Sequence, residues 1–172
     1  MKNKTTANRP QPSYIRRGHQ QSKSRKKIGF DLHGVVETNA DFFRILMRDL
    51  IRHGWQVHII TGGPWKYMEA ELKKLNVPFT HFFSILDHHS AIGTRVVWKG
   101  KRGYIDPHLW NETKAIYCKV HNIKMHFDDS DIYGLFFQTP YVRYFSKDSD
   151  RVQKMHIVPA KVPAAKKSKK RH

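Results

Sequence analysis

Apolar residues along this chain fall into blocks whose spacing switches between two periods. Short continuous or alternating apolar runs read as strands over 28–32, 55–60, 80–86, 125–127 and 141–145. Between them the spacing lengthens to that of a helix. Phe43, Leu46, Met47, Leu50 and Ile51 form one stripe within 38–53, with Thr38 or Asn39 as cap and Gly54 as stop. Trp65, Met68, Leu72 and Leu75 form a second stripe, ended by Asn76 and Pro78. Leu109, Ile116 and Val120 support a third helix over roughly 111–122, and a short helix is expected near 131–137. Residues 87–110 read as a small irregular insertion holding one hairpin, with Arg95–Trp98 and Tyr104–Ile105 as its arms. Strand and helix in alternation predict an α/β fold. The expected architecture is a Rossmann-like three-layer sandwich around a central, mainly parallel sheet of about five strands.

Charge changes the picture at the ends. The 172 residues carry 32 Lys/Arg against 14 Asp/Glu, a formal charge of +18. Residues 1–27 hold nine of the basic residues and 161–172 hold six, with no acid in either segment. The body, 28–160, keeps 17 basic and 14 acidic residues, a charge of +3. The reading is therefore a nearly neutral domain, large enough to bury a core, between two basic disordered tails. Solubility, an import signal and attraction to nucleic-acid phosphates all fit such tails, because charge blocks alone specify little. Cys118 is the single cysteine, which excludes an internal disulfide framework and a multi-cysteine zinc site. No apolar run approaches the ~18 residues that cross a bilayer, and no apolar segment near Met1 marks a secretory signal. A soluble, intracellular, cytoplasmic protein is the expectation.

In a parallel sheet, ligands sit beyond the carboxyl ends of the strands, and the polar residues of this chain gather there. The first strand ends in Asp31 and His33, the second in Thr61-Gly62-Gly63, the fourth in Asp128-Asp129, and Lys114 lies early in the third helix. A carboxylate at Asp31 can attack phosphorus once a divalent cation offsets the charge repulsion. Asp31 and Asp128 can hold Mg²⁺, with Asp129 or Asp131 behind them. Thr61 and the amide of Gly62 can bind phosphoryl oxygens, and Lys114 can neutralise developing charge. His33 can protonate the leaving oxygen, because an ordinary imidazole titrates near pH ~6.5. Each feature has a plain structural alternative: a turn, a loop, a helix cap or a solvated lysine. Their shared placement at strand ends is what favours chemistry. His81, His88 and His89 lack a firm ligand spacing for a metal.

The same residues resemble the signatures of the haloacid dehalogenase superfamily. Gly29-Phe-Asp31-Leu-His33-Gly-Val-Val36 is similar to its first, His58-Ile-Ile-Thr61-Gly62 to its second, and Met125-His-Phe-Asp128-Asp129 to its fourth. Lys114 best matches its lone lysine, with Lys119 as fallback. The resemblance spans about 28–145 and implies a Mg²⁺-dependent phosphoric monoester hydrolase working through an aspartyl-phosphate. Asp31 would be the nucleophile and a metal ligand, joined by the carbonyl of His33, Asp128 and Asp129. Family phosphatases carry Asp where this chain has His33. The small insertion implies a small cap and an open site for a phosphorylated small molecule, a nucleotide or a nucleic-acid end. Trp98, Lys99, Lys101, Arg102 and Tyr104 are its candidate substrate contacts, against the plainer reading of an exposed, solubilising hairpin. The alternative is a catalytically weak or inactive member that binds nucleic acid through its basic tails.

Overall fold

The computed structural model describes residues 25–145. The expected tails therefore lie outside the described residues, apart from 25–27, as does the end of the expected body, 146–160. Five strands form one sheet: β1 (Lys27–Phe30), β2 (Gln56–Thr61), β3 (His81–Ser84), β6 (His126–Asp128) and β7 (Tyr141–Arg143). Their order is β3-β2-β1-β6-β7, and every pairing is parallel. The first crossovers carry the chain to one side of β1, and the later ones carry it to the other. The reversal between β1 and β6 opens the crevice in which doubly wound sheets bind ligands.

Alternation along the strands assigns the two faces. Ile28, Phe30, Val57 and Ile59 pack with Phe43 and Met47 of α1 (Ala40–Arg52) and Leu72 of α2 (Trp65–Leu75). Ile60 packs on the opposite face with Cys118 of α4 (Pro107–Val120) and Ile123. The result is the expected α/β three-layer sandwich. Local chemistry sets the helix ends. The amide of Phe42 donates to Asn39 Oδ1 (3.3 Å) at the start of α1, and Asn76 closes α2 in a left-handed conformation with φ 52°. No helix among the described residues is long and apolar enough to cross a membrane.

The segment 87–110 differs from its expectation at both ends. The third strand stops at Ser84, whose Oγ accepts from Asp87 N (3.0 Å) and turns the chain into α3 (Ile85–Ala91). Leu86 is therefore buried as a helix residue rather than a strand residue. The Lys114 helix begins at Pro107, four residues earlier than 111. Asp106 accepts from the amides of His108 (2.9 Å) and Leu109 (3.3 Å), and proline fits a first helical turn that needs no amide donor. The hairpin pairs β4 (Val97–Lys99) with β5 (Arg102–Tyr104) through a two-residue turn, tighter than expected, with Gly100 at φ 60°. α5 (Asp131–Gly134) is one turn long, and β7 ends at Arg143 rather than Phe145.

Three histidines cluster under α4. His58, 1 % exposed, stacks on His81 with ring centroids 4.3 Å apart, and its Nδ1 shares a hydrogen bond with the Tyr117 hydroxyl (2.8 Å). His121 packs against Tyr117 at 4.2 Å. Burial, the neighbouring His81, Lys27 and His121 together push the pKa of His58 down to about 3. That value lies below the ~6.5 of an unfolded chain, so the stability contributed by neutral His58 is complete above pH ~6.5 and drains as pH falls toward 3. We expect the urea midpoint to fall between pH 7 and pH 4, and to fall less in His58→Asn; equal slopes in the two proteins would exclude His58 as the source.

Candidate active site

β1 ends one residue before Asp31, β6 ends on Asp128, and the two strands are neighbours. Parallel pairing thus delivers both carboxylates to the same sheet edge. α4 crosses behind them and buries Lys114 to 2 % exposure. Lys114 Nζ lies 2.7 Å from Asp31 Oδ2 and 2.7 Å from Asp128 Oδ2. Asp128 is held further by His126 Nε2 (3.1 Å) and by the amide of Ser130 (3.0 Å). Asp31 accepts from the amide of Leu32 (2.8 Å). Carboxylate oxygens of Asp31, Asp128 and Asp129 all lie within 4.8 Å of one another.

The electrostatics follow from this stoichiometry. Three buried carboxylates face one ammonium, so the cluster carries two excess negative charges when ionised. Burial opposes charge on Lys114, yet Asp128 and Asp31 overcome it and raise its pKa, so it stays protonated. Burial would also raise Asp128, but Lys114 and His126 hold it well below the usual carboxylate range. Asp31 is left with the smaller share of the ammonium. Burial, with help from Asp128, pushes it up to about 6 against the pull of Lys114. Asp129 is raised by burial and by Asp128. A divalent cation would balance the two excess charges, and three converging carboxylate oxygens are a donor set that suits Mg²⁺. The residues therefore fit that ion.

Thr61, fully buried at the carboxyl end of β2, completes the edge. Its hydroxyl has no hydrogen-bond partner among the described residues. A buried hydroxyl left unsatisfied is costly unless a ligand completes it. Gly62 follows where only a hydrogen fits: a Cβ there would stand 2.6 Å from the Trp110 indole. Trp110 Nε1 donates to the Tyr133 hydroxyl (2.5 Å), and the Tyr133 ring lies 4.8 Å from Lys114 Nζ. Gly34, at φ 77°, is required twice over, because a Cβ would fall on the Asp129 carboxylate and the backbone sits in the left-handed region.

His33 is placed differently from the buried trio. Its imidazole, with 37 % side-chain exposure, turns to Glu71 of α2, with Nε2 3.2 Å from each carboxylate oxygen. Burial opposes the imidazolium, but the Glu71 hydrogen bond and charge outweigh it and push the pKa up to about 9. Asp131 stands apart from the buried carboxylates as an exposed residue paired with Arg143 (2.5 Å). Lys119 is exposed on another face of α4, which leaves Lys114 as the site lysine. His89 is engaged through both ring nitrogens by Thr94 (3.0 Å) and Thr113 (2.8 Å), and His81 stacks on His58. Trp98, Lys99, Lys101, Arg102 and Tyr104 lie on the hairpin, outside the five-stranded sheet.

Sequence reasoning missed Glu71, Trp110, His126 and Tyr133. His126 had a usable signal, since it lies two residues before Asp128 on the same strand face. Trp110 lies one turn before Lys114 on α4, and Tyr133 follows Asp129 by four residues, but the contact between them and that of Glu71 with His33 join separate elements and carry no local signature. Comparison with protein-family models, curated proteins and solved structures finds no match for this chain.

Replacing Lys114 by Met would leave the three buried carboxylates without their ammonium. We expect Lys114→Met to lose about 3–5 kcal/mol in denaturant unfolding, the range for breaking a buried pair from one side; a loss below ~1 kcal/mol would show that the ammonium does not hold the site together.

Proposed function

We propose that this protein is a Mg²⁺-dependent phosphohydrolase of the haloacid dehalogenase type, acting on a phosphomonoester through an aspartyl-phosphate at Asp31. The observation that carries the reading is the Asp31–Lys114–Asp128 bridge, with Asp129 beside it, at the topological switch point of a parallel sheet. Asp31, Asp128 and Asp129 would hold the ion. When bound, it supplies the charge neutralisation that lets a phosphate dianion approach a carboxylate.

The chain's own groups account for the remaining work. Asp31, with a side chain 9 % exposed, is more accessible than Lys114 at 2 % or Asp128 at 0 %. It is thus the carboxylate that a phosphoryl group can reach. Its oxygen forms the bond to phosphorus as the bond to the ester oxygen breaks. The departing oxygen takes its proton from His33, which Glu71 orients through their 3.2 Å contact. Lys114 steadies the carboxylate and stands ready for negative charge on the phosphoryl group. The hydroxyl of Thr61 finds its missing partner in a phosphoryl oxygen. Water then attacks phosphorus and passes a proton back to His33 as the bond to Asp31 breaks, which releases inorganic phosphate and restores the free carboxylate and the imidazolium.

Two experiments test this scheme. With p-nitrophenyl phosphate, release of phosphate should require Mg²⁺, stop on chelation, and fall to background in Asp31→Asn while circular dichroism stays native. Activity retained in that variant would remove Asp31 from the mechanism. For His33→Asn, the loss should be much greater with an alkyl phosphate than with the aryl ester, because a nitrophenolate leaves without a proton donor. Equal losses with both esters would assign His33 to structure.

A further inference from the structure

The hairpin and the start of α2 form one surface of rings and cations. Gly103 seats β5 on α3, where a Cβ would lie 2.8 Å from the Leu86 side chain. The hairpin's rings stay outward: Trp98 and Tyr104 are each 41 % exposed. Lys66, in the first turn of α2, reaches across to this hairpin. Its Nζ lies 5.0 Å from the Trp98 ring and 4.7 Å from the Tyr67 ring. Lys101 lies 5.7 Å from Tyr67, and Lys99 lies 5.7 Å from Tyr104. Lys66, Lys99 and Lys101 face rings and form no ion pair among the described residues. Residues 94–105 contain Arg95, Lys99, Lys101 and Arg102 and no acid.

The surface adjoins the candidate active site. Lys66 follows Thr61 by five residues, a span of at most ~17 Å of chain. The amide of Trp65 donates to Asp87 Oδ2 (2.7 Å), which ties the start of α2 to α3, the helix that leads into the hairpin.

Three rings interleaved with three ammonium groups on two separate elements match a repeating ligand in which flat apolar units alternate with anions. A single-stranded nucleic acid has that chemistry. A duplex hides its base faces, and an acidic peptide would use the lysines and leave the rings idle. An exposed cation–π contact is weaker than a base–aromatic stack, so an arriving base displaces the ammonium, which then meets the neighbouring phosphate. We propose that Lys66, Tyr67, Trp98, Lys99, Lys101 and Tyr104 form a binding face for single-stranded nucleic acid. Insofar as Asp31 is a phosphohydrolase nucleophile, that face presents the strand's terminal phosphate to it.

The test uses the full chain, whose basic segments 1–27 and 161–172 add affinity for any polyanion, so the readout is a difference between ligands. Fluorescence anisotropy is measured with a labelled oligothymidylate of about 15 nucleotides and with a labelled duplex. Trp98→Ala should weaken single-strand binding about tenfold or more, as loss of a stacked base requires, while duplex binding changes little. Tyr104→Ala, on the other arm, carries the same expectation if Trp98→Ala fails to fold. Equal weakening for both ligands, no weakening, or full competition by polyglutamate would overturn the binding face. Performed in Asp31→Asn protein, the titration reads the surface independently of turnover. Ring-dependent binding there, without phosphate release from a terminally phosphorylated strand by the unsubstituted protein, would leave the face standing and remove the reaction.

Discussion

One ammonium held between two buried carboxylates organises this protein's candidate site. Lys114 is a costly residue to bury, and Asp31 and Asp128 are costly beside it; each is tolerable only because the others are present. The bridge leaves a charge imbalance. With Asp129 included, the carboxylates outnumber the cation, and burial together with Asp128 pushes Asp31 up to about 6 against the pull of Lys114. Converging carboxylate oxygens in such excess are a donor set that would suit a divalent cation.

The surroundings hold that bridge in place. His126 and the amide of Ser130 fix Asp128, Tyr133 lies against Lys114, and Trp110 connects Tyr133 to the spot where Gly62 has no side chain. Gly29 belongs to the same scheme. A Cβ on it would stand 2.6 Å from Ile60 and 2.8 Å from His126, so glycine allows the histidine to approach β1 and reach Asp128. Gly29, Gly34 and Gly62 therefore serve close packing around charge as much as backbone freedom. Glu71 performs a parallel task outside the buried cluster, orienting and charging the one site imidazole that faces solvent.

Legibility differed between the fold and the site. Alternation of apolar periods was enough for the strand–helix order, because the faces of Phe30 and Ile59 and the stripe of Phe43 and Met47 are local consequences of periods of two and 3.6. It failed where a short polar signal overrode the apolar run. Ser84 capped a helix inside an apparently continuous strand pattern, and Asp106-Pro107 started α4 before its first periodic leucine. The placement of polar residues at strand ends pointed to Asp31, Thr61, Lys114 and Asp128. It ranked Lys114 ahead of Lys119 without excluding the latter and left Asp129 and Asp131 open behind Asp128, since neighbouring polar residues look alike until packing buries some of them.

Residue order alone determined which chemical groups would stand at one end of the sheet, because a parallel strand must present its carboxyl end on the same edge as its neighbours. Tertiary structure alone decided which of those groups pair with one another. Distance and burial set that outcome, and both arise from contacts between segments far apart in the chain: Lys114 with Asp31, Glu71 with His33, Trp110 with Tyr133, Lys66 with Trp98. Electrostatic interactions strengthen as water is excluded, so the chemistry of each group is a property of the packed molecule that no local stretch of sequence contains.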